Sequence, residues 1–408
     1  MHLRISRLRF VLVRCCFLLI TLLFLLEIKI FLKNDNTLNR SPMEILYWEN
    51  LVKQDQLLTN EQRIEHIVFQ RPKFCSSTHI FHSQCPYKNC LWNCRKSPIN
   101  YENIRRANVF HHVDIKPEEM YEKQKHRSHN DIWVLWIDEA NRQIEHLNEY
   151  KFNWTLSFRQ DSEISIGTYG LLIPNDDDNK NFYFNNKSDL LLSSDFLYIL
   201  TNHSILITDF MLENYILTNY RYRFKHALWF VSNCEPKQRL KYYEQLKKYF
   251  PIHAYGLCIN NEENICNKND QCEMEQFRLA LFYLAFESQT CTDYITEKFW
   301  RALHYGMIPI VFGPRKQSYL DLGIPNSAFI HVEDFKSAKQ LGKYLHKIAN
   351  DYFLYRNYFQ WINQYQIFYQ TYDLEPIRMC ELCMRLNMQD KNEHRFYTNI
   401  HQWHRNEC

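Results

Sequence analysis

Glycine is scarce in this chain, with 7 in 408 residues. No Gly-x-Gly-x-x-Gly turn and no Walker loop is present, which argues against a dinucleotide-binding or P-loop enzyme. Charge of one sign is also lacking. Lys and Arg number 49 against 46 Asp and Glu, a formal net charge of +3. With no basic run and no nucleic-acid motif, a nucleic-acid partner is not indicated. There is no internal repeat and no long low-complexity tract. The few glycines are expected at turns that need them.

Apolar residues make up 46% of the chain and aromatics 16%, enough to fill sizeable cores. Beyond the first 73 residues the chain is too long for one typical core, so two domains are expected. At the amino end Arg4, Arg7, Arg9 and Arg14 precede or enter an apolar run from Phe10 to Leu26. That run is long enough to span a bilayer, and no small-x-small cleavage site follows it. The arginine bias places the short N-terminus in the cytosol and the remainder in a lumen. Asn34 to about Lys73 is polar with scattered Leu, Ile, Tyr and Trp, and reads as a stem. Its leucine spacing fits a homodimer through the stem, core contact or a plain linker.

Of the 14 cysteines, Cys15 and Cys16 lie in the anchor. Cys75, Cys85, Cys90 and Cys94 cluster at the start of the globular part; Cys380-x-x-Cys383 and Cys408 lie at its end. In an oxidising compartment disulfides are a better reading than zinc or redox chemistry. Whether Cys380 bridges Cys383 or reaches back to the first cluster stays open. Four N-x-S/T sequons, at Asn39, Asn153, Asn186 and Asn202, suit a luminal chain. Asn39 is the poorest, since Pro42 follows its Ser.

The chemistry concentrates between Leu279 and Pro314. Leu279 to Phe286 reads as a buried strand, a helix is predicted from about Tyr294 to Gly306, and Met307 to Phe312 as a second buried strand. Such a strand–loop–helix–strand unit belongs to a parallel sheet, where ligands bind at the carboxyl ends of strands beside helix N-termini. Thr292 and Asp293 are good N-cap types. On that helix Tyr294 and Lys298 share a face, with Glu297 alongside. A phenol, an ammonium and a carboxylate at a dipole-positive end suit a sugar nucleotide. They also suit a solvated Glu–Lys pair.

The stretch Phe-Glu-Ser-(x)4-Asp-Tyr-Ile-Thr-Glu-Lys from Phe286, followed by Gly-Met-Ile-Pro-Ile-Val-Phe-Gly-Pro from Gly306, resembles the signature of the α1,3-fucosyltransferases, glycosyltransferase family 10, in its invertebrate Golgi form. Ser288 stands where that family usually has Asn. A second stretch, Phe230-Val-Ser-Asn-Cys-(x)4-Arg-(x)2-Tyr-Tyr, resembles the family's other donor motif. There the resemblance implies that Arg239 contacts the GDP phosphates, that Ser232 and Asn233 lie near the nucleotide, and that Tyr283 matches a base-side position. Spacing alone also permits a solvated Arg239 on an exposed helix face.

Two segments of the N-terminal half carry the rest. Ile132 to Ile137 reads as a buried strand that ends at Asp138-Glu139. Sugar transfer needs a carboxylate to take a hydroxyl proton, and by type alone these two are equal candidates. The resemblance selects Glu139, although Ala140-Asn141 replaces the family's Ser-Pro. Phe152 to Ile164, leading to Tyr169-Gly170, resembles a cleft segment with Arg159, Asp161 and Tyr169, Thr168 standing in place of a Pro. His111 and His112 end an earlier strand, where they could touch acceptor or do nothing catalytic. Asn175-Asp-Asp-Asp-Asn179 mimics a metal-holding DxD motif but reads as a solvated loop.

The resemblance implies an α/β, GT-B-like fold: two Rossmann-like domains facing a cleft, preceded by a transmembrane helix and stem. The expected divisions are a cytoplasmic tail 1–9, a signal anchor 10–32, a stem 33–74, an N-terminal acceptor domain 75–222, a C-terminal GDP-fucose-binding domain 223–385 and a tail 386–408. Helices are expected from Ser337 to about Asn350 and over Tyr352–Tyr372, with a strand at Ser327–Val332. The family also ties its ends with cystines. The implied activity is inverting transfer of L-fucose from GDP-fucose in α1,3 linkage to a GlcNAc residue of a glycan. Glu139 would be the base, and Arg239, Tyr294, Glu297 and Lys298 would hold the donor. No metal is required, though Mn²⁺ could help the diphosphate leave. The location would be the Golgi membrane, single-pass type II. A relative that fucosylates protein directly and a non-catalytic glycan-binding scaffold are the alternatives.

Overall fold

A computed structural model of the chain describes residues 66–70, 79–80, 90–93, 105–140, 142–174, 209–259, 266, 271–369, 371–388, 395–406 and 408. The anchor, most of the stem, Cys75, Cys85, Cys94, the sequons at Asn39, Asn186 and Asn202, and the Asp176–Asp178 run lie outside them. Among the described residues no helix is long and apolar enough to cross a membrane. Residues 58–408 form one compact unit.

Its first half supplies β1 (His66–Gln70), β2 (His79–Ile80), β3 (Cys90–Asn93), β4 (Arg105–His111), α1 (Pro117–Lys125), β5 (Asp131–Ile137), β6 (Trp154–Ser157) and β7 (Leu171–Pro174). These are followed by α2 (Asp209–Tyr222), β8 (Phe224–Phe230), α3 (Lys237–Leu246), β9 (Ile252–Tyr255), α4 (Gln271–Leu279), β10 (Ala280–Phe286), α5 (Glu297–His304) and β11 (Ile308–Phe312). Then come α6 (Lys316–Asp321), β12 (Ile330–His331), α7 (Ala338–Asn350), α8 (Tyr352–Asn357), β13 (Tyr365–Phe368), α9 (Thr371–Met388) and α10 (Ile400–Arg405).

The described strands make two large sheets and a two-stranded one, β13-β7. The first has order β2-β3-β1-β4-β5-β6, parallel except where β2 meets β3. The second has order β12-β11-β10-β8-β9 and is parallel throughout. Parallel sheets are covered on both faces, so their strands are apolar on both sides. In β5, Ile132 and Val134 enter one core, while Trp133, Leu135 and Ile137 enter another on the opposite face. Every residue of β10 is buried, as befits the central strand of its sheet.

Several expected divisions move. The stem is too long as drawn, because β1 lies within 33–74 and sits between β3 and β4. Helix α2 falls before the expected boundary at 222, yet Leu212 and Ile216 pack into the core of the second sheet. The Tyr352–Tyr372 stretch is only partly helical, since β13 pairs antiparallel with β7. Helix α9 then buries Leu374, Ile377, Leu382 and Met384 against Val109, Val134 and Leu156, so it belongs to the first sheet. The Ser327–Val332 strand shortens to two residues flanked by 3-10 turns. The predicted helix over Ser337–Asn350 forms as α7, with the Ser337 hydroxyl accepting the Gln340 N–H at 3.2 Å.

Candidate active site

The loop after β5 carries both candidate carboxylates, and their surroundings separate them. Asp138 accepts from both terminal nitrogens of Arg378 on α9, at 3.0 and 2.8 Å, and from the Trp136 indole at 2.6 Å. Its carbonyl accepts from the Tyr169 hydroxyl at 2.6 Å. Asp138 is thereby committed to holding the fold. The Glu139 side chain is 50% exposed and has only loose partners. The Tyr294 phenol donates to its Oε2 at 3.2 Å, and the Arg142 guanidinium lies 3.6 Å away. Tyr294 comes from the second sheet's loop, so this bond joins the two halves. Ala140 is buried with Phe158, Cys291 and Tyr294 in a small apolar cluster, which gives that replacement a packing role.

Helix α5 starts three residues later than predicted. Its N-cap is Thr296, so Tyr294 precedes the helix and does not share a helical face with Lys298. Asp293 has a φ of 67°, a left-handed turn that breaks the chain there. Its carboxylate accepts from Gln160 N–H at 3.0 Å and from Gln160 Nε2 at 3.1 Å. The helix ends as expected: Gly306, with φ 65°, gives its N–H to Leu303 O, and Met307 N–H goes to Ala302 O.

Glu287, which the sequence presents only as part of a motif, is central to the packing here. Its side chain is fully buried. It accepts from Thr296 N–H at 2.8 Å, from the Thr296 hydroxyl at 2.7 Å and from Lys298 Nζ at 3.1 Å. A protein carboxylate therefore takes the N–H of the N-cap residue just ahead of α5. Lys298 Nζ also lies 3.2 Å from Glu297. Burial works to lower the Lys298 pKa, but Glu287, Glu297 and Tyr294 hold it above its usual value. Burial alone would raise Glu297; Lys298 and Arg301 instead draw it down to about 2. Arg301 in turn is anchored on the buried Glu273 of α4 at 3.0 Å.

The remaining predicted residues divide. Arg239 is buried, and its terminal nitrogens donate to Phe286 O at 3.0 Å and Asn233 O at 2.6 Å. It is not a solvated residue on an exposed helix face: two of its nitrogens stitch the end of β10 to the loop after β8, and its buried Nε has no hydrogen-bond partner. That loop exposes Ser232 and Asn233, and the Cys234–Cys258 disulfide closes it. Ser288 is partly exposed and hydrogen-bonds Tyr294. Tyr283 does not line the site. It is 1% exposed in the core beside Phe277, and burial pushes its phenol up to about 12.

Arg159 pairs with Asp161 through two 2.8 Å bonds, but its third nitrogen donates to Asn406 O at 2.7 Å and its face lies over Trp403. It serves the C-terminus and does not shape an open cleft. Tyr169 packs against Tyr294 and is held by its Asp138 bond. His111 pairs with Asp114 at 3.2 Å, and burial lowers His112 to about 4. Asn153 is a sequon that cannot take a glycan in this fold. It is buried, Oδ1 accepts from Trp133 N–H, and Nδ2, the atom a glycan would need, donates to Arg395 O.

Cys383 bridges Cys90, reaching back to the first cluster. Cys380 is also disulfide-bonded. Cys266–Cys272 and Cys291–Cys408 were not foreseen. Among the described residues no group of three or more His, Cys, Asp or Glu could hold a metal ion.

Two largely parallel sheets, with a half-exposed carboxylate from one hydrogen-bonded to a phenol on a loop of the other, define an α/β protein with a candidate site where loops of the two sheets meet. Family models make this specific. "Fucosyltransferase, N-terminal" matches residues 40–170, and "Glycosyltransferase family 10 (fucosyltransferase) C-term" matches residues 220–403. The chain belongs to glycosyltransferase family 10, the fucosyltransferases. It is 37% identical over 186 residues to glycoprotein 3-alpha-L-fucosyltransferase A of Drosophila melanogaster, covering 44% of this chain and 35% of that protein. It is 30% identical over 276 residues to 4-galactosyl-N-acetylglucosaminide 3-alpha-L-fucosyltransferase 9 of Rattus norvegicus, covering 65% of this chain and 62% of that one. The chain thus spans less than two thirds of either relative. A crystal structure of an α1,3-fucosyltransferase aligns with a TM-score of 0.48 at 15% identity, over 84% of this chain and 95% of that one.

Proposed function

We propose that the protein transfers L-fucose from GDP-fucose in α1,3 linkage to a GlcNAc residue of a glycan, with Glu139 as base and inversion at the anomeric carbon. The observation that carries this reading is the 3.2 Å contact between Tyr294 OH and Glu139. It sets a solvent-reaching carboxylate of the first sheet against the loop that carries the family's donor signature. The names of the Drosophila and rat relatives support the linkage and a glycan-bearing acceptor.

In the proposed step Glu139 takes the proton of the acceptor hydroxyl as its oxygen attacks the anomeric carbon. GDP departs from the opposite face. Lys298, kept cationic by two carboxylates, stabilises charge building on the diphosphate. Glu297, ionised down to about pH 2, suits sugar hydroxyls as an acceptor. Arg239 acts through the backbone by holding the ends of β10 and β8 side by side. No metal is assigned a role; Mn²⁺ would at most assist departure of the diphosphate. The disulfides support a luminal setting. With the N-terminal apolar run they fit a single-pass type II Golgi membrane protein.

The test is GDP release from GDP-fucose by the full chain in detergent, with and without a panel of GlcNAc-containing glycans. Release that depends on a glycan supports the reading and identifies the acceptor. GDP binding with no turnover on any glycan points to a protein acceptor or a glycan-binding scaffold. A folded chain that binds no GDP overturns the donor site.

A further inference from the structure

The stretch 386–408 reads in the sequence as a tail. Its last part touches both loops that meet at Glu139. On the first-sheet side, His404 has no exposed surface, and its Nε2 accepts the Arg142 N–H at 3.3 Å. His401 Nδ1 accepts the Ile144 N–H at 3.3 Å, and its Nε2 lies 2.9 Å from Glu145. The turn that follows Glu139 therefore hangs on two imidazoles of α10. On the second-sheet side, Cys408 is joined to Cys291, three residues before Tyr294. Phe158 lies between the two, edge-on to Tyr294 at 5.1 Å and to His404 at 6.3 Å.

We propose that the C-terminal segment is the positioning element of the base. His404 sets the turn that carries Glu139, and the Cys291–Cys408 bridge sets the Tyr294 loop against it. Neither residue touches the reacting atoms. They fix the relative place of two groups that come from different sheets, and a displacement of about 1 Å in such a pair costs on the order of a hundredfold in rate. This rests on the assignment of Glu139 as base.

The test uses the full chain carrying Cys291→Ser, Cys408→Ser or both, and separately His404→Gln and His404→Phe. Each cysteine variant is expected to lose about tenfold to a hundredfold in kcat. GDP affinity and the donor KM should hold, and the double variant should be no worse than either single one. His404→Phe should show the same loss. His404→Gln, whose amide oxygen can accept the Arg142 N–H, should recover most of it. Cysteine variants that keep kcat and lose only thermal stability would overturn the proposal, as would equal kcat in the two His404 variants. If the cysteine variants fail to fold, the His404 pair decides. Glu139→Gln is measured alongside. Normal turnover there overturns the base and the proposal together, whereas loss there with normal turnover in the cysteine and His404 variants overturns the proposal alone.

Discussion

Asp138 and Glu139 are chain neighbours of the same chemical type, and what distinguishes them comes from 240 residues away, where Arg378 claims one and leaves the other. Long-range partners of this kind leave no local pattern in a sequence. The same holds for Glu287, whose role depends on Thr296 and Lys298 folding back onto it. Removing its cation by Lys298→Ala leaves a buried carboxylate unpaired, which should cost about 3–5 kcal/mol in stability. Adding Glu287→Gln should recover much of that in a melting experiment while GDP affinity stays low. His404 makes a pH prediction. Burial, then His112 and Arg159, hold its pKa near 4, against 6.5 in a free side chain. Between about pH 6.5 and 4 the unfolded chain binds a proton that the folded one refuses, so stability falls as pH drops through that window. The full effect is about 3 kcal/mol for this residue. His112, His226 and His304, also lowered to about 4, add slope in the same direction. Melting curves from pH 7 to 5 should therefore be shallower in His404→Gln, and an unchanged slope would count against this assignment.

At the scale of elements, strands were the most legible part. Apolar runs bounded by polar loops place β5, β10 and β11 to within about a residue, because parallel strands buried on both faces are apolar along most of their length. The start of α5 was not legible. Thr292 and Asp293 have the composition of a cap, but the bonds from Gln160 hold Asp293 in a left-handed turn, and a distant carboxylate caps Thr296 instead. β13 was missed because an aromatic stretch fits helix or strand equally well until β7 supplies its partner. Gly256 is required by its element. Its φ is 108°, and a Cβ there would lie 2.3 Å from Val231 O. Gly256→Ala should lower the melting temperature by the equivalent of about 1–3 kcal/mol and loosen the loop closed by Cys234–Cys258.

Over the whole molecule the chain leaves the first sheet, builds the second and comes back. β13, α9 and α10 all return to the first half, and Cys90–Cys383 fixes that return across 293 residues. The pairing could not be read from spacing, because several cysteines lie near either end and only the packing of α9 selects among them. Cys383→Ser should cost about 2–5 kcal/mol in denaturant unfolding. GDP affinity per folded molecule should be unchanged, since the bridge is remote from the donor loop in its contacts. The family itself was legible, because its main motif, from Phe286 to Pro314, is long, local and gapless. Which of its residues face a ligand was not, as the buried Tyr283 shows.

The central claim is that Glu139 acts on the acceptor and does not serve to hold the donor or the fold. The measurement that tests it most directly compares Glu139→Gln with the unaltered chain for acceptor-dependent fucose transfer and for GDP affinity in the same preparation. Transfer should fall by about 10²–10⁴-fold with GDP affinity and melting temperature preserved. Transfer near the original rate, or a loss of GDP binding that matches the loss of transfer, would contradict it.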